Sequence, residues 1–171
     1  MVSLDNYESL LEEAFNKQGG MVDQAHLALE KLFVKHQDNF IRQTISLMQK
    51  SESSSIRKKA AMCLQKMLCT YDDQPLFPEE HKKDPELAKV DEGSFMEGVF
   101  AKLAVDFETK YKTQLFEIVE KETDVEIAKE VCRFIGKFAY SILEGDLGPA
   151  VTWKELLPSL SKMLFSGVDK N

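Results

Sequence analysis

Three histidines (His26, His36, His81) and three cysteines (Cys63, Cys69, Cys132) are the side chains of widest chemical reach in this sequence. A metal site needs such residues at short paired spacings, and a nucleophilic centre needs a thiol or hydroxyl matched to a base. Neither arrangement is found here. An odd cysteine count argues against a disulfide framework, and Cys63 and Cys132 fall on apolar helical faces, so both read as reduced core thiols. The acid pairs Glu12-Glu13 and Glu79-Glu80 read as solvated surface. No phosphate-cradling glycine loop or dinucleotide fingerprint is present. The chain reads as non-catalytic, with no metal and no cofactor.

The basic triplet Arg57-Lys58-Lys59 is the one feature that suggests an anionic partner. Nucleic-acid binding needs more: a broad positive surface, with aromatic platforms for single strands. The 171 residues carry a net charge of −7, and the triplet has no aromatic neighbour, so nucleic acid and anionic membrane are poor partners. Basic residues near a helix start oppose the helix dipole, which points to interaction, or to a solvated face, as their use. Trp153 is placed to pack within an amphipathic helix. No apolar run is long enough to cross a bilayer, and the polar, acidic start does not read as a secretory leader.

The elements that would position these residues are helices. With 43% hydrophobic and 30% charged residues, the chain can bury one core. Tyr7, Leu10, Leu11, Ala14 and Phe15 form an apolar stripe at helical spacing, as do Met21, Ala25, Leu29, Leu32 and Phe33 after Gly19-Gly20. Further stripes run through Ile41 to Met48 behind Asp38, Ile56 to Leu68 behind the serine cluster, Leu115 to Val119, and Ile127 to Phe138. Thr123 with Glu126, and Thr152 with Glu155, match the capping-box pattern, the latter opening a last helix through Leu164. Gly145 suits a helix stop. Alternation of strand type is absent over any useful length, so the predicted fold class is all-α.

Residues 72–94 interrupt this pattern with three of the five prolines and eight acids against three lysines. The segment reads as an acidic surface insertion that adds little to the core. A short helix is expected from Phe95 to Leu103, with a break near Asp106, which could cap the next helix.

Three of the stripes superpose. Aligning Met21, Ile56 and Ile127 brings Ala25, Ala60 and Val131 together, then Leu29, Leu64 and Ile135, then Leu32, Met67 and Phe138; Lys31, Lys66 and Lys137 also coincide. Each copy follows another amphipathic helix. The unit is a helical hairpin, and hairpins repeated at this period stack into a solenoid, because one hairpin cannot bury its own stripe. The expected units are repeat 1 at about 3–35, repeat 2 at about 38–71, the insertion at about 72–94, repeat 3 at about 95–144, and the first helix of a fourth repeat at about 152–165.

The order of these hairpins, with Ile127, Lys129, Val131 and Cys132, then the acidic turn at Glu144 to Asp146, then Trp153, Leu156 and Leu157, resembles the N-terminal HEAT repeats of the karyopherin-β (importin-β) family. The resemblance covers most of the chain. It departs at the long insertion, and at repeat 1, which matches in apolar pattern only. What it implies is an α-solenoid of HEAT-type hairpins, about three and a half repeats from the N-terminal part of a longer nuclear transport receptor. Such receptors shuttle between cytoplasm and nucleus and release cargo on binding Ran GTPase in its GTP form. The N-terminal repeats contribute to the Ran site through the second helix of each hairpin. Basic protein cargo and nucleoporins would bind later repeats, outside this chain.

At about 100° per residue, the arc opposite each buried stripe can be read off directly. It carries Asp23, Leu27, Glu30 and Val34 in repeat 1; Lys58, Met62, Gln65 and Cys69 in repeat 2; and Lys129, Arg133, Gly136 and Tyr140 in repeat 3. The resemblance makes Asp23, Leu27, Glu30, Lys58, Met62, Gln65, Lys129 and Arg133 the candidate contacts for Ran. Leu27 and Met62 are apolar where solvent alone favours polar residues. Each residue taken singly also fits a plain solvated helix face. Two other functions stay open. A HEAT scaffold of a phosphatase or chromatin complex shares the fold, and fold does not fix function; an all-α enzyme lacks any supporting motif.

Overall fold

A computed structural model describes residues 4–15, 22–68, 75–106 and 110–144. Among them are seven α-helices and no strand: α1 Leu4–Ala14, α2 Val22–Lys35, α3 Gln37–Lys50, α4 Ser54–Leu68, α5 Glu92–Asp106, α6 Lys112–Lys121 and α7 Val125–Glu144. A short 3-10 turn, His81–Lys83, lies between α4 and α5. The expected helix at 152–165, with Trp153 and its capping box, and the stop at Gly145 lie outside the described residues.

Helices pack as consecutive pairs, α1 with α2, α3 with α4, and α6 with α7. Between pairs, α4 lies on α7 and α3 on α6, while α1 lies against α4 and, more lightly, α3. The residues that superpose in sequence share the core: Ile56 and Ile127, then Ala25, Ala60 and Val131, then Leu29, Leu64 and Ile135 are all buried. A chain of aromatic contacts ties four helices together. Tyr7 meets Phe40 at a ring-centroid distance of 5.9 Å, Phe40 meets Phe33 at 5.1 Å, and Phe33 meets Phe95 at 5.5 Å. The buried Tyr7 hydroxyl is satisfied by Thr44 Oγ1 at 2.6 Å, and Thr44 in turn donates to the Phe40 carbonyl.

Only His36 separates α2 from α3, and its backbone amide and carbonyl still bond Leu32 and Phe40. At the start of α4 the Ser53 hydroxyl accepts from the Ile56 amide at 3.4 Å, as the serine cluster suggests. The start of α7 differs from the expected capping box. Asp124 Oδ1 accepts from the amides of Glu126 and Ile127, so Asp124 is the cap. The Glu126 carboxylate turns to Lys129 instead of reaching back to Thr123. α5 ends at Asp106, where the break is expected, and the Asp106 carboxylate accepts from Lys110; α6 begins after Tyr111.

The largest departure is the acidic segment. Residues 75–91 form a strap laid on α2, and Leu76, Phe77 and Leu87 join the main core, Phe77 with 0% exposure. Their polar neighbours seal the contact. Lys31 pairs with Asp84, Lys35 with Glu86 at 2.7 Å, and His81 Nδ1 lies 2.6 Å from Glu30 Oε2. The expectation that this insertion contributes little to the core is therefore corrected. Three apolar anchors without a period seat the segment, and its acids meet lysines on a neighbouring helix.

Candidate protein-binding face

The arc expected to bind a partner is continuous on two helices and interrupted on the third. On α4, Met62 is 40% exposed, with Lys58 and Gln65 half-buried on the same arc. On α7, which packs directly on α4, Lys129, Arg133 and Gly136 are exposed, and nothing stands within 4 Å of where a Gly136 side chain would begin. Cys69, and the side chain of Tyr140, fall outside the described residues.

On α7 the cations of this arc pair with acids of their own helix. Glu126 accepts from Lys129 Nζ at 2.9 Å, and this bond is the main reason its carboxyl sits below the ordinary carboxylate range. The charges of Lys58, on the neighbouring helix, and of Arg133 act weakly in the same direction. Arg133 also bonds Glu130 on its own helix. The face is thus one of mixed charge, with Lys129 paired to Glu126 and Arg133 to Glu130 on α7, and an exposed methionine on α4. Such a patch suits a protein surface with complementary charge.

On α2 the expected row is interrupted at Glu30. Glu30 has 0% exposure and lies under the strap, with His81 as its close partner and Lys66 Nζ at 4.0 Å from its other oxygen. Leu27 and Val34 are half-buried and pack against the core. Placing Glu30 on an open binding arc is corrected here: the strap follows α4 back over α2 and fills that arc. Asp23 lies in α2, but its side chain is outside the described residues.

Sequence reasoning also misassigned Arg57, treated as a solvated or interacting member of the basic triplet. Its guanidinium forks onto Glu122, Nε to Oε2 at 2.8 Å and Nη2 to Oε1 at 3.0 Å, and Nη1 donates to the carbonyls of Ser51 and Glu52. Glu122 is only 4% exposed, and its Oε1 also accepts from the Asp124 amide. Arg57 therefore links the α3–α4 pair to the α6–α7 pair. No local sequence signal pairs residue 57 with residue 122.

The remaining candidate chemistry is quiet. Burial pushes the Cys63 thiol up to about 12, which keeps it protonated and unreactive. Burial also raises the half-buried Cys132. Among the described residues no group of three His, Cys, Asp or Glu side chains is arranged to hold a metal ion, and no helix is long and apolar enough to cross a membrane.

The chain matches no family model, no curated protein and no solved structure.

Proposed function

We propose that this chain is a non-catalytic, protein-binding stack of HEAT-type hairpins from a nuclear transport receptor of the karyopherin-β kind, and that its α4–α7 face forms part of the site for Ran in its GTP form. The observation that carries the reading is that Lys129, Arg133 and Gly136 of α7 and Met62 of α4 are all exposed on two helices that pack on each other, where helical spacing places one outward arc. Consecutive pairing of the helices supports the stacked-hairpin architecture, and the sequence resemblance supplies the partner. Any nucleotide belongs to that partner. Cargo and nucleoporins would engage later repeats, and the parent protein would shuttle between cytoplasm and nucleus. The contact excludes Glu30, because the strap already covers it.

Reversing charge at two positions of this arc tests the face. Lys58→Glu with Lys129→Glu weakens binding of Ran-GTP by about tenfold or more, as like charges now oppose across the contact. The thermal midpoint stays within about 2 °C, because an exposed pair such as Lys129–Glu126 contributes little to folding. Wild-type affinity in the double variant would remove this face from the site. Failure of the wild-type chain and its full-length parent to bind Ran would instead favour a HEAT scaffold of another complex.

A further inference from the structure

The strap is held by a carboxyl group that burial alone would not leave ionised. Glu30 is enclosed completely, and its Oε2 meets the His81 ring of the strap at 2.6 Å, while Oε1 has no hydrogen-bond partner. The groups facing it are His81 from the strap, Lys66 and the protonated Cys63 thiol from α4, and Glu92 at the start of α5. Lys66 stands at 4.0 Å, too far to neutralise the carboxylate by a hydrogen bond. A second set of contacts, Lys31–Asp84 and Lys35–Glu86, lies nearer the solvent and ties the same strap to the same helix.

We infer that the buried Glu30–His81 contact is a proton-dependent latch, which seats residues 75–91 on α2 and loosens that seat as pH rises. With the strap off, Glu30 is in water and ionises in the ordinary carboxylate range. With the strap on, burial, the largest influence, raises its pKa; His81 and Lys66 pull it back only in part, and Glu92 adds to the rise. The seated state thus binds the proton more tightly than the open state. Its advantage is complete below the ordinary carboxylate range and is lost as pH climbs through the raised pKa. The outer contacts have the opposite sign. The Lys31 and Lys35 hydrogen bonds lower the Asp84 and Glu86 carboxyls, so their hold is present above the carboxylate range and lost as pH falls through the lowered values. The strap is seated best between these limits. The latch stands whatever partner the α4–α7 face takes. The apolar anchors Leu76, Phe77 and Leu87 and the outer lysine contacts remain on the alkaline side, so the consequence is more frequent transient opening of the strap rather than its release.

The test is hydrogen exchange by mass spectrometry on the whole chain from about pH 5 to about pH 8, with each rate corrected for intrinsic exchange. The expected result is that protection of residues 75–91 falls with rising pH, by up to about tenfold per pH unit, the limit for one linked proton, while protection in the middle of α7 does not follow it. Glu30→Gln keeps the shape and a hydrogen-bonding group but removes the titrating carboxyl, so its strap protection no longer falls with rising pH. A flat wild-type profile, or an α7 profile parallel to that of the strap, overturns the latch even if the variant does not fold. An equal slope in wild type and Glu30→Gln overturns it as well.

Discussion

Phe77→Ala lowers the stability of this chain by roughly 3–5 kcal/mol, the cost of emptying a fully buried aromatic site. The residue belongs to a segment that composition marks as solvent-facing, so the effect separates the two descriptions sharply. Phe77 seats the strap together with Leu76 and Leu87, and Phe95, just beyond it at the start of α5, stacks edge-on against Phe33 of α2. Truncating Phe77 leaves a cavity at the joint between strap and helix. Lys89→Ala, on the exposed side of the same segment, changes stability by about 0.5 kcal/mol or less. At this chain length each kcal/mol moves the thermal midpoint by about 2–4 °C, so the two variants are well separated in a melt followed by circular dichroism. Replacing 78–91 with a Gly/Ser linker also lowers the midpoint, since Leu87 and the lysine contacts go with it. Equal melts for Phe77→Ala and Lys89→Ala would show that the strap does not pack.

Arg57→Ala costs roughly 1–3 kcal/mol, because it removes a forked, charge-assisted contact from a Glu122 carboxylate that is largely covered though its residue is only partly buried. Arg57→Lys recovers only part of this, since an ammonium cannot reproduce the two-pronged contact. Arg57→Met combined with Glu122→Leu costs less than Arg57→Ala alone, as no uncompensated charge remains. The pH dependence carries its own sign. The Arg57 hydrogen bonds, helped by the Asp124 amide, hold the Glu122 carboxyl below the ordinary range. That contribution is present above the ordinary range and is lost as pH falls through the lowered pKa, so wild type loses it only at strongly acid pH. Removing Arg57 flattens that acid limb. Urea titrations at several pH values read both effects. Equal stability of wild type and Arg57→Ala at neutral pH would show that the pair does not join the hairpins.

The helices were legible because periodicity reports burial directly. Ala60 and Leu64, for example, sit where a 3.6-residue repeat places a core stripe, and both are buried. The opposite arc of α4 and α7 followed from the same geometry, which is why Met62, Lys129 and Arg133 are exposed as expected. What failed was everything set by contacts between distant segments. Phe77 and Leu87 have no period to announce them, and their burial depends on a seat that α2 provides. Glu30 occupies an outward position on its own helix and is buried only because the strap returns over it. Arg57 looks like its neighbour Lys58 in sequence, yet it faces a carboxylate 65 residues away. At the start of α7, a one-residue difference in the helix start transferred the cap from Thr123 to Asp124. Local rules located the elements, and long-range pairing decided which of their polar residues remain free for a partner.

Titration of Ran into this chain in its two nucleotide states tests the central claim most directly. The switch segments of Ran order differently around the γ-phosphate, so a receptor segment must distinguish the two. On the proposed reading Ran-GTP binds measurably, and Ran-GDP binds at least about tenfold more weakly. Equal affinity for the two states, or no binding to either by both this chain and its full-length parent, would contradict it.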